Sequence, residues 1–304
     1  MLAKRARLYA PARPYYGKRE KTHMNIHQIK IVADSSSDIL DLTEVPFASA
    51  PLMIFTAERE FVDNAKLDVG EMVEFLSRYN GKSSTACPGP HDYLNAFGDA
   101  EWVFCVTITA TLSGSYNAAM VAKRQYEEEH PGRRVAVFNS LSAGPEVCLI
   151  IEHLQELILE GKEFDEICEE INAYREKTGL VFTLESMKNL ANNGRVNPLV
   201  AKMAGILNIR VVGKASEQGD LEPLAKCRGE QKALEAIVEQ MKNEGLKRGK
   251  VRIAHCFNET AARRLKEMIR EKFSGYVHVK LYRCRGLCSF YAEKGGMLVG
   301  FEKR

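Results

Sequence analysis

Two short segments carry hydroxyl side chains at spacings that suit the binding of an anion. Residues 85–90 read TACPGP, and residues 111–116 read TLSGSY and follow the apolar run VFCVTI at 103–108. Each segment is predicted to stand where a helix begins, and a helix N-terminus offers unpaired N–H groups and a partial positive charge. Because apolar residues flank both segments, we expect them to line a pocket for an amphipathic anion.

The same hydroxyls also have a purely structural interpretation. Thr85 in a turn and Ser113 before a helix are both typical turn or capping residues, which hydrogen-bond their own backbone. Asp34, at the end of the first predicted strand, is expected to organise its turn in the same way. The residue types of Thr85 and Ser113 are compatible with either role.

The sequence lacks the motifs of several enzyme classes. It contains no GxSxG elbow, no GxxxxGK[ST] loop and no GxGxxG fingerprint. No combination of carboxylates and cations suited to phosphoryl transfer is recognisable. We therefore expect a binding protein without a cofactor or catalysis of its own. The alternative is an acyl-transfer enzyme in which Cys87, beside Pro88, is the nucleophile and a histidine is its base.

The cysteines and histidines do not form a metal-binding pattern. Eight cysteines are scattered with no CxxC pair, which indicates buried reduced thiols rather than disulfides. Cys284 and Cys288 are spaced CxxxC with no second ligand pair nearby. His91, His153 and His255 show no ligand spacing either. No metal site is expected.

The net charge of +3 conceals two oppositely charged parts of the chain. Residues 1–28 hold seven Lys or Arg against one acid, so this segment carries +6 and the remainder −3. A mildly acidic body does not suit nucleic-acid binding, which needs clustered positive charge. The basic segment is expected to be a disordered extension, although its composition also fits an organelle transit peptide.

Hydropathy indicates a cytoplasmic protein with no integral membrane segment. No run of about 18 apolar residues occurs, and the start lacks the apolar region of a secretory signal. The chain has 304 residues, 45% of them hydrophobic, which is enough for one large or two ordinary α/β domains.

The pattern of predicted elements changes after residue 160. Strands, polar turns and helices alternate through residues 29–160, which predicts an α/β domain with a mostly parallel sheet and ligands at the carboxyl ends of its strands. Over residues 161–304, neighbouring predicted strands are more frequent, which indicates a second α/β domain with a mixed sheet. We therefore predict two α/β domains after the basic extension at residues 1–28.

The order of the motifs resembles that of the DegV family of bacterial fatty-acid-binding proteins over residues 29–301. The resemblance is carried by six segments: residues 31–38 (IVADSSSD), 85–90 (TACPGP), 111–119 (TLSGSYNAA), 190–196 (LANNGRV), 207–210 (LNIR) and 295–301 (GGMLVGF). No single segment is specific for the family, whereas all six segments in this order are.

The resemblance implies a fatty acid in a tunnel between the two domains, with its carboxylate held by Thr and Ser hydroxyls. By position, these hydroxyls fall on Thr85 and Ser113, with the amide of Gly114 alongside. Many members also have a histidine near the C-terminus that reaches the head group, and the matching position here is Tyr291. Arg195 either pairs with a surface acid or lies near the head group.

One turn of this sequence departs from the family's pattern. The family's usual Thr-Ser-Gln-Pro-Ser turn is changed to TACPG at residues 85–89, which removes neighbouring hydroxyls.

The resemblance also implies a partner. In some bacteria, proteins similar to this one present the bound acyl group to a separate fatty acid kinase, which makes the acyl phosphate. A long-chain fatty acid and such a kinase are therefore the expected ligand and partner.

Overall fold

A computed structural model describes residues 25–197 and 208–303. The predicted basic extension at residues 1–28 therefore lies outside the described residues except for its last part. There, Ile26–Gln28 forms a single 3₁₀ turn that Asn25 caps, so residues 25–28 are ordered, contrary to the prediction for the extension. The first residue of the 207–210 motif also lies outside the described part.

Four parallel strands form the sheet of the first half. They are β1 (Ile29–Asp34), β2 (Phe47–Ala50), β6 (Trp102–Thr107) and β7 (Arg134–Asn139), in the order β2-β1-β6-β7. The inner strands β1 and β6 are almost wholly buried, which is typical of parallel strands covered on both faces. The predicted parallel sheet is confirmed.

Helices cover both faces of this sheet. They are α2 (Pro90–Phe97), α3 (Ser115–Glu129), α4 (Pro145–Leu159) and α5 (Phe164–Arg175). On one face α2 and α3 pack through aromatic side chains such as Phe97 and Tyr126. On the other face α4 and α5 bury an aliphatic cluster around Ile150 and Ile167. The polar residues at the carboxyl ends of the strands, such as Asp34, Thr107 and Ser140, are themselves buried.

A small antiparallel sheet follows β2 in the chain. Its strands are β3 (Met53–Phe55), β4 (Glu60–Val62) and β5 (Ser84–Ala86), in the order β4-β3-β5, and α1 (Val69–Arg78) connects β4 to β5. The sequence predicts a strand over residues 51–55 but not its partners. Three-residue strands are too short to show a period, so this sheet was not predicted.

The second half contains a six-stranded mixed sheet, as predicted. Its strands are β8 (Thr178–Leu184), β9 (Ile209–Ala215), β10 (Leu221–Arg228), β11 (Gly249–His255), β12 (Val277–Arg283) and β13 (Met297–Glu302), in the order β10-β9-β8-β13-β11-β12. Among these described strands, β11 and β12 pair in parallel and the other neighbours are antiparallel. The helices are α6 (Lys188–Asn192), α7 (Glu230–Asn243), α8 (Glu259–Lys272) and α9 (Gly286–Ala292).

Helix α4 joins the two halves. It packs on β1 and β6 on one side and on β8, β11 and β13 on the other. Its Glu152 accepts a 2.9 Å hydrogen bond from Nε of the buried Arg252 on β11. The boundary predicted at residues 160 and 161 remains a prediction, because α4 contacts both sheets. No helix in the described ranges is long and apolar enough to cross a membrane.

Candidate functional site

A cavity of about 290 Å³ lies between the two sheets. Residues from both halves line it, and most are apolar: Leu52, Ile108, Leu112, Ala143, Leu180, Phe182, Leu184, Leu190, Leu221, Leu287, Ala292 and Leu298. The five residues selected from the sequence also line it: Thr85, Ser113, Gly114, Arg195 and Tyr291. The cavity therefore combines a large apolar surface with a small set of polar groups, as small-molecule sites do.

Thr85 lies within strand β5 and not at the start of a helix. It pairs with Ile54 of β3, and helix α2 begins five residues later at Pro90, with Gly89 as its N-cap. The prediction that this hydroxyl stands at a helix N-terminus is therefore wrong, and so is the capping interpretation. The hydroxyl instead lies 2.7 Å from the phenol oxygen of Tyr291.

Ser113 stands at a helix start as predicted. Gly114 is the N-cap of α3, and the Ser113 hydroxyl accepts a 3.3 Å hydrogen bond from the amide of Ser115. Ser113 thus makes the local bond of a capping residue and also faces the cavity. A Cβ at Gly114 would lie 3.0 Å from Sγ of Cys87. The two polar segments therefore meet at this point, where glycine leaves room for the thiol.

Tyr291 reaches the cavity from α9, in the opposite half of the chain. Burial raises the pKa of its phenol, while the hydrogen bond to Thr85 and the charge of Arg195 act in the other direction. The phenol is therefore protonated at neutral pH. In the Thr85–Tyr291 pair one hydroxyl donates to the other, which leaves the second proton available for an acceptor in the cavity.

Arg195 holds the loop after α6 against the first half of the chain. Its Nε donates a 3.1 Å hydrogen bond to the carbonyl oxygen of Leu112, and its guanidinium also donates to the carbonyl of Asn193. Among the described residues, these hydrogen bonds of Arg195 go to backbone carbonyls and not to a carboxylate, so no pairing with a surface acid is observed there. Its positive charge lies instead beside Leu112, next to Ser113.

The electrostatics of the lining favour a negatively charged head group. Arg195 is the one charged side chain among the described lining residues, and no Asp or Glu lines the cavity. No histidine lines it either, so Cys87 has no base there among those residues. Cys87 itself is exposed, whereas Leu180 and Leu287 are buried, so the cavity opens to solvent beside the polar groups.

The other residues considered from the sequence have structural surroundings. The carboxylate of Asp34 accepts a 3.2 Å hydrogen bond from the amide of Ser36, as expected, and a 2.9 Å bond from the amide of Ile108. Burial raises the pKa of the Cys284 and Cys288 thiols. The described residues contain no group of three or more His, Cys, Asp or Glu that could hold a metal ion.

This chain is similar over most of its length to known proteins. The model of a family described as uncharacterised protein, DegV family, matches residues 28–304. A DegV domain-containing protein of Streptococcus pneumoniae is 46% identical over 277 residues, which are 90% of this chain and 98% of that relative.

Two solved structures resemble the described fold closely. A DegV family protein from Eubacterium eligens loaded with heptadecanoic acid has a TM-score of 0.89 and 44% identity, over 91% of this chain and 100% of that one. The Streptococcus pneumoniae fatty acid kinase (Fak) B3 protein loaded with linoleic acid has a TM-score of 0.89 and 46% identity, over 91% and 99% of the two chains.

Proposed function

Because this chain belongs to the DegV family, we propose that it binds a long-chain fatty acid between its two sheets. The carboxylate lies at Thr85, Ser113, Tyr291 and the amide of Gly114, beside the charge of Arg195, and the tail fills the apolar part of the cavity. The observation that carries this proposal is the grouping of the polar side chains at the open end of an otherwise apolar cavity without a lining carboxylate. The similar structures loaded with heptadecanoic and linoleic acid support it.

The energetics assign different roles to tail and head group. Burying about fourteen methylenes at about 0.8 kcal/mol each gives about 11 kcal/mol of gross driving force. A hydrogen bond to a charged group contributes about 1.5–3 kcal/mol. The tail therefore supplies most of the affinity, and the hydroxyls fix which end of the molecule faces the opening.

The orientation of the ligand supports presentation to a kinase. Cys87, beside the head-group residues, is exposed, so a carboxylate there stands near the surface while the tail is enclosed. A separate fatty acid kinase could then phosphorylate the carboxylate without removing the tail. The similarity to the fatty acid kinase B3 protein supports this partner. The free cysteines are compatible with a cytoplasmic location, where thiols stay reduced.

Mass spectrometry of the purified protein tests the proposal. Native spectra should show one bound fatty acid per chain that is released on denaturation, whereas an acyl thioester on Cys87 would survive denaturation and support the acyl-transfer alternative. Ala143→Phe places a ring in the cavity and should abolish binding, while Ala173→Phe, on the exposed face of α5, should not. Delipidated wild type that binds no fatty acid, or an Ala143→Phe variant that binds normally, would refute the proposal.

A further inference from the structure

A buried carboxylate outside the cavity holds the helix that carries Tyr291. Asp63 follows strand β4 and is 1% exposed. Its Oδ1 accepts a 2.8 Å hydrogen bond from the amide of Gly286, and its Oδ2 accepts a 2.8 Å bond from the amide of Leu287. Both amides belong to the first turn of α9, where N–H groups have no partner within the helix. Each half of the chain thus satisfies buried polar groups of the other.

The contact is close because position 286 has no side chain. A Cβ at Gly286 would lie 2.6 Å from Oδ1 of Asp63 and 2.6 Å from Cδ2 of Leu67. The adjacent amide of Arg285 donates a 2.8 Å hydrogen bond to Asp38, so a second carboxylate supports the same end of the helix. The start of α9 is therefore fixed against the first half by three consecutive amides.

Asp63 and the head-group residue Thr85 belong to one small sheet. Strand β3 pairs with β4, which ends just before Asp63, and with β5, which contains Thr85. Asp63, directly after β4, is hydrogen-bonded to the start of α9, and Thr85 is hydrogen-bonded to Tyr291. Between these two hydrogen bonds, Ile54 and Phe61 of the sheet pack in one cluster with Phe290 of α9. Leu287 and Tyr291 are one helical turn apart, about 6 Å along the axis, so the helix start determines where the phenol stands.

We propose that Asp63 is a positioning residue of the head-group site, which holds α9 so that the phenol of Tyr291 meets Thr85 and the ligand carboxylate. The inference rests on the proposed function, since it assumes a carboxylate at Tyr291. Asp63 itself does not line the cavity, so a ligand in the cavity would not contact it. Its effect on affinity should therefore pass through Tyr291.

A double-mutant cycle in ligand binding tests this role. Asp63→Asn keeps the shape of the side chain but replaces one carboxylate oxygen, an acceptor, by an amide NH2 group, a donor that then faces a backbone N–H. We expect it to weaken fatty acid binding about 3- to 30-fold, which lies within the range of coupling between residues linked through one packed element or hydrogen-bond network. In a Tyr291→Phe background, the same substitution should change the affinity less than about twofold. Asp68→Asn is the control, because Asp68 caps α1 away from the cavity.

The outcomes separate this inference from the proposed function. If the wild type binds fatty acid and the two substitutions are additive, Asp63 is merely structural and the inference fails alone. If the wild type binds no fatty acid, both fail. If Asp63→Asn does not fold, Gly286→Ala disturbs the same contact from the helix side. Gly286→Ala should then weaken fatty acid binding in the wild type but change the affinity little in a Tyr291→Phe background.

Discussion

Neutral hydroxyls can hold a carboxylate without the desolvation of a second buried ion. Thr85→Val and Ser113→Ala should each weaken fatty acid binding by about 1–3 kcal/mol, because each leaves the carboxylate one hydrogen bond short. Thr85→Val keeps the β-branched shape that strand β5 needs, so a loss of affinity would not come from packing. Titration of the delipidated variants by calorimetry measures the effect.

A matched fatty alcohol controls for a structural role of the two hydroxyls. The alcohol lacks the carboxylate, so the two substitutions should change its binding affinity much less than they change that of the acid. The double variant should lose less than the sum of the single losses if both hydroxyls hold one head group. Equal losses for acid and alcohol that follow the melting temperatures would assign Thr85 and Ser113 to structure alone.

At the scale of elements, the sequence predicts the regular parts of the fold better than the small sheet that positions Thr85. The alternation of strand, turn and helix around β1, β6 and β7 correctly predicts the parallel sheet. Residues 84–86 are too few to show the period of a strand, and the Pro and Gly beyond them indicate a turn. Thr85 was therefore assigned to a helix start, although its pairing with β3 places it in a strand.

The β9–β10 hairpin closes one side of the cavity. Its Gly219 carbonyl accepts a 3.0 Å hydrogen bond from the Thr111 hydroxyl of the first half, and Leu221 lines the cavity. Gly219 has φ +88°, and a Cβ there would lie 2.2 Å from Oγ1 of Thr109. Gly219→Ala should therefore push the hairpin outward and accelerate fatty acid dissociation about tenfold, if the displacement weakens binding by about 1.4 kcal/mol.

Gly275→Ala is the matched control for this substitution. Gly275 also has a positive φ, +74°, but a Cβ there would meet nothing within 4 Å. It should lower the free energy of unfolding by about 1–2 kcal/mol through backbone strain and leave the dissociation rate unchanged. Stopped-flow displacement by a competing fatty acid gives the rates. Equal rates in the two variants would mean that the hairpin does not retain the ligand.

At the scale of the whole molecule, the site depends on pairings that local patterns do not contain. Thr85 and Tyr291 are 206 positions apart, and Asp63 contacts an amide 223 positions away. Hydropathy periods predict which face of an element is buried but not which distant element covers it. The hydroxyls of Thr85 and Ser113 were selected from their own segments, whereas Tyr291 was found only through the order of motifs in a family. Asp63, which belongs to none of those motifs, was missed.

The packing of α4 on both sheets predicts that the two halves unfold together. Arg252, 2% exposed, forms an ion pair across this junction with Glu152, whose side chain is 19% exposed. Arg252→Met leaves Glu152 with Lys280, 3.1 Å away, as its remaining cation partner among the described residues. The variant should lose about 1.5–3 kcal/mol of unfolding free energy, because the partly exposed Glu152 loses its charged hydrogen bonds to Arg252. Adding Glu152→Leu should recover part of this loss.

Two probes of urea unfolding measure this coupling. Trp102 is the single tryptophan of the chain and lies in the first sheet, so its fluorescence reports on the first half, whereas far-ultraviolet circular dichroism reports on both. The two wild-type transitions should coincide, as in a two-state transition, and Arg252→Met should shift both to lower urea by the same amount. A fluorescence transition that stays in place while the dichroism transition moves would show that α4 does not couple the halves.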